Sequence, residues 1–432
     1  MDHAAKPDIP ESFAGRSVLI TGSTGFIGKV LVEKILRCCP DVKKLYLLIR
    51  PGKKGDSIHK RLEQMTKAKL FDRLRESQEG FEDKLVAVQA DLLQPKLGLS
   101  DDDIKTLQAN VSIVFHVAAT IKFNEVLKLS LQLNVTAVQM LLDLSRGMDL
   151  QAFVHVSTAY SNCPFKHIEE KVYPPTVDPY KLLSTVDWMS DDMVIDMTPY
   201  FLGDWPNTYT FTKAIAETVI VKESVGMPLC IVRPSIVGAS WKDPIPGWVD
   251  NLAGASGLLI ASHKGMIQSV LANEDMVADI TPVDMVVNTL VTSAWHIAVN
   301  RPTQIPVINL VTSPNNPVTW KDVANHICPP TFSYTENHLL FEYLNFFGCK
   351  LPFTLIDLVV KMVGKRARMI RTYDQILKSM HLLKYFTCNE WIWNHSNYEK
   401  LMKTIPETDR QEFFMDARPL DWRDYLQTYI GG

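Results

Sequence analysis

The sequence predicts an α/β protein with a doubly wound parallel sheet, a substrate-binding region and a mainly helical C-terminal domain. Continuous runs of Val, Ile and Leu alternate with segments of helical periodicity through the first third of the 432 residues. A glycine-rich turn follows the first run, and the composition becomes aromatic from about Thr335. Because this length exceeds one typical core, we expect two domains, at residues 1–334 and 335–432.

Five apolar runs predict the strands of the sheet. They are SVLI (17–20), KLYLLIR (44–50), KLVAVQAD (84–91), VSIVFHVAA (111–119) and AFVHVST (152–158). Between them, apolar residues recur at helical spacing, as in KVLVEKILRCC (29–39). Strands that are apolar without alternation are buried on both faces, which indicates a parallel sheet covered by helices. A ligand of such a sheet binds beyond the carboxyl ends of its strands.

The strand–helix alternation stops after the fifth run. Residues 161–206 are rich in Pro, Asp and Tyr, and we interpret them as a long loop at the rim of a site. A further strand, CIVRPSIVG (230–238), leads into a Pro- and Gly-rich stretch at residues 242–259. We therefore assign the substrate-binding elements mainly to residues 161–206 and 238–334.

Composition and charge exclude several classes of protein. The formal net charge is only −3, which argues against a nucleic-acid partner. The seven cysteines are scattered and show neither zinc-site spacing nor a disulfide framework. The N-terminus has no secretory signal, and no window holds about eighteen uninterrupted apolar residues. We therefore expect the protein to work on the cytosolic side.

A glycine motif after the first strand predicts a nucleotide-binding Rossmann turn. Gly22 permits the tight turn, Gly25 lets the backbone approach a pyrophosphate, and Gly28 lets helix and strand pack closely. A merely structural turn is the less favoured alternative, because the motif lies between a predicted strand and helix. The residues assigned to the cofactor here are Thr21, Gly22, Thr24, Gly25, Phe26, Ile27 and Gly28.

The end of the second strand favours NADPH over NADH. Sites for NAD usually carry Asp or Glu there, whereas this sequence has Arg50, followed by Lys53 and Lys54. A guanidinium matches a 2′-phosphate; a solvated basic turn is the alternative. We also assign Asp91 to the adenine amino group, and Ala118, with Ala119, to close approach of the nicotinamide ribose.

Tyr209 and Lys213 are the predicted catalytic pair. They lie four residues apart on a predicted helix, so their side chains share one face. Tyr209 donates a proton to a developing alkoxide, and Lys213 lowers the pKa of Tyr209 and binds the nicotinamide ribose. Ser157 and Thr158 end the fifth strand, where a hydroxyl can hold the substrate oxygen.

These motifs together resemble the extended short-chain dehydrogenase/reductase superfamily. The resemblance assigns the substrate hydroxyl to Thr158, with Ser157 as the alternative, and also covers Asn134 and DITPVDMVVN (279–288). Within the superfamily, nearly the whole chain is similar to fatty acyl-CoA reductases. The segments that carry this similarity are IRPGKKG (49–55), VHVSTAYSN (154–162), YTFTKAIAE (209–217), VRPSIVGAS (232–240), PGWVDNLAGASGLL (246–259) and DWRDY (421–425).

The resemblance implies that NADPH reduces a long-chain fatty acyl-CoA to a fatty alcohol, in two hydride transfers through an aldehyde. A steroid or sugar dehydrogenase or epimerase of the same superfamily is the alternative, and the C-terminal domain argues against it. A catalytically silent NADPH-binding protein is disfavoured by the presence of Thr158, Tyr209 and Lys213. His116 and His155 are interpreted as core histidines without a role. The oligomeric state is left open.

The resemblance also implies peripheral membrane contact, at the cytosolic face of the endoplasmic reticulum or peroxisome. The sequence stops at TYIGG, before the apolar tail that such relatives commonly carry. Without that tail, another surface of the protein makes the membrane contact, unless the chain is a truncated form. HLLFEYLNFF (338–347) and LPFTLIDLVVKMV (351–363) are interpreted as core or acyl-chain wall, the latter too short to span a bilayer. The basic residues after them, Lys361, Lys365, Arg366, Arg368 and Arg371, favour a solvated helix face over a site for CoA phosphates or anionic lipid.

Overall fold

The computed structural model describes residues 7–52, 55–250, 254–329, 332–364, 366 and 368–431. Lys53, Lys54 and Lys365, which the sequence analysis singled out, lie outside the described residues. The strands are β1 (Ser17–Thr21), β2 (Lys44–Ile49), β3 (Leu85–Gln89), β4 (Val111–His116), β5 (Ala152–Val156), β6 (His167–Ile168), β7 (Leu229–Pro234), β8 (Ile236–Gly238), β9 (Ser269–Leu271), β10 (Ile280–Pro282), β11 (Val307–Leu310), β12 (Ser333–Thr335) and β13 (Ile392–Trp393).

The helices account for most of the remaining chain. They are α1 (Ile9–Phe13), α2 (Phe26–Cys38), α3 (Ile58–Thr66), α4 (Asp72–Ser77), α5 (Asp101–Asn110), α6 (Leu127–Leu131), α7 (Ala137–Arg146), α8 (Pro179–Trp188), α9 (Asp191–Leu202), α10 (Thr208–Glu223), α11 (Ala255–His263), α12 (Val283–Asn300), α13 (Trp320–Ile327), α14 (His338–Asn345), α15 (Leu351–Met362), α16 (Met369–Thr387), α17 (Ser396–Thr404) and α18 (Trp422–Gly431).

The chain forms two compact units, each built from three stretches that are separate in sequence. Unit 1 comprises Met1–Ser235, Val283–Val311 and Trp393–Asp416; unit 2 comprises Ile236–Pro282, Thr312–Ile392 and Ala417–Gly432. This division differs from the single boundary expected between residues 334 and 335. The reason is long-range packing: Ala239 and Ile280 share a hydrophobic core with Trp422 and Tyr425, close to the end of the chain.

Unit 1 contains a seven-stranded sheet in the order β11-β7-β5-β4-β1-β2-β3, and all of its pairings are parallel. Helices flank this sheet. Leu19 on β1 and Phe153 on β5, for example, share one core with Leu141 of α7 and Phe211 of α10. The predicted doubly wound α/β fold is therefore confirmed. The strand order reverses between β1 and β4, which is where such sheets bind their ligands.

Two local predictions in this part of the chain are wrong. Residues 161–206 are not a continuous loop, because α8 and α9 form within them. Asp178 caps α8 by accepting hydrogen bonds from two backbone amides, Pro179 occupies the first turn, and Ser190 caps α9. The predicted strand CIVRPSIVG ends at Pro234. Its second half, β8, pairs with β10 in unit 2 and does not continue in the large sheet.

Unit 2 contains two short parallel pairs, β8 with β10 and β9 with β12, and several helices. Helices α14 and α15 are joined by a π-helical turn at Phe346–Lys350, so residues His338–Met362 form one helix of 25 residues. Among the described residues, this is the helix long and apolar enough to cross a membrane, judged by length and composition alone. The expectation that residues 351–363 form a segment too short to span is therefore corrected.

Candidate active site

The glycine turn follows β1 at the carboxyl edge of the sheet in unit 1. Gly22 has φ +70°, and its carbonyl oxygen accepts a hydrogen bond from the Gly25 amide at 2.9 Å. A Cβ on Gly22 would lie 2.7 Å from the Ala118 nitrogen, and a Cβ on Gly28 would overlap the Gly22 carbonyl. Only glycine fits both positions. Because Gly25 offers no side-chain cap to α2, the start of that helix is suited to an anion.

Thr21 and Ala118 are brought together at this edge. The Ala118 amide donates to Thr21 Oγ1 at 3.1 Å, and Thr21 Oγ1 also lies 2.7 Å from His116 Nδ1. Burial, aided by the nearby charge of Lys213, lowers the pKa of His116 to about 3, so its imidazole is neutral. The same causes hold the pKa of His155 well below its usual value. The two histidines therefore act as neutral groups in the core.

The end of β2 carries the residues predicted to select the cofactor. Arg50 is exposed, and its backbone carbonyl accepts a hydrogen bond from Arg61 on α3. Arg61 Nη2 also donates to Thr24 Oγ1 at 3.3 Å, which places the Arg61 guanidinium beside the glycine turn. Asp91 is partly buried, and its carboxylate accepts the Leu93 amide at 3.1 Å, within its own turn.

The predicted catalytic residues lie at the carboxyl end of β5 and on the first turns of α10. Asn207 caps α10, which explains why the helix begins immediately before Tyr209. Burial raises the pKa of Tyr209 to about 12, and a hydrogen bond with the Thr158 hydroxyl partly opposes that rise. The phenol is thus protonated at neutral pH and able to act as an acid.

Lys213 is fully buried, and its Nζ donates to the Val156 carbonyl at 2.8 Å. Burial lowers the pKa of Lys213 to about 8, while the Glu217 carboxylate acts in the opposite direction. The lysine is therefore mainly protonated at neutral pH. The expected lowering of the pKa of Tyr209 by Lys213 is corrected: burial raises the pKa of the phenol, and the group that opposes this rise is the Thr158 hydroxyl.

A buried ion pair that was not predicted from the sequence lies next to the proposed catalytic residues. Glu217 and Arg233 are joined by two hydrogen bonds, of 2.9 and 2.5 Å, and their side chains are almost completely inaccessible. Glu217 also accepts from Ser157 at 2.5 Å and from Ser161 at 3.1 Å. The Ser157 hydroxyl is thus committed to Glu217, which leaves Thr158 as the hydroxyl beside Tyr209.

Asn134 forms hydrogen bonds with two segments near the proposed catalytic residues. It lies in a π-helical turn between α6 and α7. Its Oδ1 accepts the Thr120 amide at 2.9 Å, and its Nδ2 donates to Thr212 Oγ1 at 3.0 Å. The side chain thus connects the segment after β4 to the catalytic helix, and extra turns of this kind are frequent at functional sites.

Comparison with known proteins identifies the family. A family model described as male sterility protein matches residues 20–290, and a second with the same description matches residues 349–432. The chain is 46% identical to fatty acyl-CoA reductase 1 of Gallus gallus and 44% identical to that of Homo sapiens; each alignment covers 98% of this chain and 85% of the relative. The chain belongs to the fatty acyl-CoA reductase family. Fatty acyl-CoA reductase 2 of Homo sapiens is 38% identical over 97% of this chain and 84% of its own length.

Solved structures show the same fold at low sequence identity. The terminal R domain from the myxalamid PKS-NRPS biosynthetic pathway has a TM-score of 0.63 at 18% identity, covering 97% of this chain and 90% of that domain. A UDP-glucuronic acid 4-epimerase from Bacillus cereus, in complex with NAD, has a TM-score of 0.52 at 15% identity, covering 96% of both chains. These likenesses show the fold alone.

As a fatty acyl-CoA reductase, the protein is an oxidoreductase that acts on a fatty acyl substrate with a nicotinamide cofactor.

Two features of this site were missed from the sequence. Arg61 belongs to no motif, and only folding brings it to Thr24. Arg233, by contrast, gave a usable signal, because an arginine inside an apolar strand needs a buried partner.

Proposed function

We propose that this reductase converts long-chain fatty acyl-CoA to fatty alcohol with NADPH, by two successive reductions through an aldehyde. The proposal rests on one observation. Thr158, Tyr209 and Lys213 lie together at the edge of the sheet that also bears the glycine turn. The glycine turn fits a dinucleotide, since side chains at Gly22 or Gly28 would clash with the backbone of Ala118 or Gly22, and the start of α2 carries no side-chain cap. When bound, NADPH supplies the hydride for each reduction.

The chain's own groups then handle the substrate oxygen and the protons. In the first reduction, the tetrahedral oxyanion formed from the thioester collapses to an aldehyde and expels the CoA thiolate. Thr158 positions the substrate oxygen beside Tyr209. In the second reduction, Tyr209 donates its phenolic proton to the alkoxide, and the nearby charge of Lys213 stabilises the phenolate left behind. The net reaction consumes two NADPH and two protons for each alcohol and CoA released.

Purified protein with a panel of acyl-CoAs tests this proposal. NADPH loss should accompany formation of the matching alcohol, and the specificity constant should rise from short to long acyl chains. A steroid or sugar dehydrogenase would instead leave every acyl-CoA intact and consume cofactor with a hydroxylated or keto substrate. Either outcome can be read from NADPH absorbance and product mass.

Arg50 and Arg61 support the preference for NADPH, because Arg50 directly follows β2 and Arg61 donates hydrogen bonds both to the Arg50 carbonyl and to Thr24 in the glycine turn. Replacing Arg50 by Ala should weaken NADPH binding by about tenfold or more and leave NADH binding nearly unchanged, since only NADPH carries the 2′-phosphate. Titration of each cofactor gives both dissociation constants. Lys60→Ala, on the same helix as Arg61, is the matched control and should change neither. Equal weakening of both cofactors would contradict the assignment.

We propose further that the helix at residues 338–362 lies on the cytosolic leaflet of an organelle membrane, endoplasmic reticulum or peroxisome. Its apolar side chains are largely exposed, including Leu339 at 80% and Met362 at 78%. Patches of this extent mark interaction surfaces on soluble domains. Exposed basic residues lie in its last turn, at Lys361, and after it, at Arg366, Arg368 and Arg371, and their charge suits anionic lipid headgroups. This exposure also argues against the expected role of the segment as a buried acyl-chain wall.

Flotation with vesicles tests the membrane proposal. The protein should float with phosphatidylcholine vesicles that contain phosphatidylserine, and the double variant Leu355→Glu/Val359→Glu should remain at the bottom of the gradient. Val225→Glu is the matched control, because Val225 is 85% exposed and belongs to unit 1. If the double variant floats as well as the control, this surface does not bind membranes. A changed chain-length preference without a change in flotation would instead assign the helix to the acyl chain.

A further inference from the structure

Two histidines and a glutamate meet on the surface of unit 2, outside the proposed active site. His338 is the first residue of α14, and Glu342 follows four residues later on the same face. His381 comes from α16 and stacks on His338, with ring centroids 5.2 Å apart and 24° between the ring planes. Two separate helices thus direct three metal-ligating side chains toward one point.

The spacing of these side chains suits a single ion. The candidate ligand atoms of the three residues all lie within 4.8 Å of one another. His381 Nε2 and Glu342 Oε1 are 3.8 Å apart, too far for a hydrogen bond. Ligands around a tetrahedral Zn²⁺ are separated by roughly 3.3 Å, given bond lengths near 2 Å. The side chains are partly exposed, so small rotations are enough to reach that separation.

A buried aromatic ring keeps the two histidines together. Phe341 is fully buried, and its ring lies 5.7 Å from that of His381 and 6.2 Å from that of His338. The imidazoles are therefore backed by the core of unit 2 on one side and open to solvent on the other. This arrangement reduces the conformational freedom that the ligands lose when an ion binds.

We propose that His338, Glu342 and His381 bind one divalent transition-metal ion. Two imidazoles with one carboxylate favour Zn²⁺ and its neighbours over Mg²⁺ or Ca²⁺, which prefer oxygen ligands. Two neutral imidazoles and a carboxylate carry one negative charge, which a divalent cation offsets. The ion links α14 to α16 and leaves one coordination position for water. The site is separate from the proposed reductase chemistry and does not depend on it.

Isothermal titration of the chelator-treated 432-residue chain with Zn²⁺ tests the site. The protein should bind one equivalent and unfold at a higher temperature when Zn²⁺ is present. His381→Ala and Glu342→Gln should each weaken binding by about tenfold or more, since loss of even an indirect ligand contact has that effect. His59→Ala, an exposed histidine in unit 1, is the control and should bind Zn²⁺ as the unmodified protein does.

Co²⁺ provides an independent check, because its visible spectrum reports the coordination geometry. Intense tetrahedral bands with the unmodified protein, absent with folded His338→Ala, would support the proposal. No stoichiometric Zn²⁺ binding by the unmodified protein would overturn it. Equal Zn²⁺ binding by the control and by the three variants His338→Ala, Glu342→Gln and His381→Ala would also overturn the proposal. Circular dichroism of each variant establishes that it is folded.

Discussion

Replacing Tyr209 by Phe should lower turnover by about 10²- to 10⁴-fold while leaving NADPH binding nearly intact. The change removes only the hydroxyl that donates the proton to the alkoxide, and positioned general acids contribute rate factors of this size. The ring remains in place, stacked 5.7 Å from that of Phe123. The turnover number with a long-chain acyl-CoA and the dissociation constant for NADPH are the two measurements.

Tyr180→Phe is the control for this prediction. Tyr180 is an exposed residue of α8, and its hydroxyl donates a hydrogen bond to Glu223 at 2.8 Å. Loss of this hydroxyl should change neither turnover nor cofactor binding. If Tyr209→Phe retains near-normal turnover, another group supplies the proton, and the mechanism proposed for this site is wrong.

Replacing Glu217 by Gln should destabilise the protein by about 3–5 kcal/mol, because it leaves the Arg233 guanidinium buried without a counter-charge. Glutamine also loses the charge that holds Ser157 and Ser161. The urea midpoint should therefore fall markedly. The double variant Glu217→Gln/Arg233→Met should lose less stability than the sum of the two single changes, since the two residues form one unit.

An exposed ion pair supplies the control for the buried one. Lys60 and Asp56 are joined at 2.6 Å on the surface, and Lys60→Ala should leave the urea midpoint unchanged. If Glu217→Gln is as stable as Lys60→Ala, the buried pair contributes no more than a surface contact. The hydrogen bonds that Glu217 accepts from Ser157 and Ser161 would then contribute no measurable stability.

The parallel sheet and the glycine turn were predictable because their signals are local. A strand such as Val111–His116 is mainly apolar, and the steric need for glycine at position 22 arises at one short turn. The position of Tyr209 near the carboxyl end of β5 could also be predicted, because it depends on helix periodicity and sheet topology. Whether these residues perform the assigned chemistry stays a prediction.

The features missed from the sequence depend on contacts distant in the chain or on irregular helix geometry. Residues 417–431 pack with Ala239 and Ile280, so no single boundary separates the compact units. Pro352 suggests a new helix, yet a π-helical turn before it keeps the helix from His338 continuous. Deleting everything after Thr335 would therefore remove parts of both units and would not isolate one function.

The central claim, reduction of acyl-CoA to alcohol in two steps, is tested most directly by isotope transfer. Long-chain acyl-CoA is incubated with NADPH carrying deuterium at the transferable C4 position, and the product is analysed by mass spectrometry. Two successive reductions predict a fatty alcohol with two deuterium atoms on C1 and two NADPH consumed per CoA released. An aldehyde with one deuterium as the final product, or a fatty alcohol without deuterium on C1, would contradict the account.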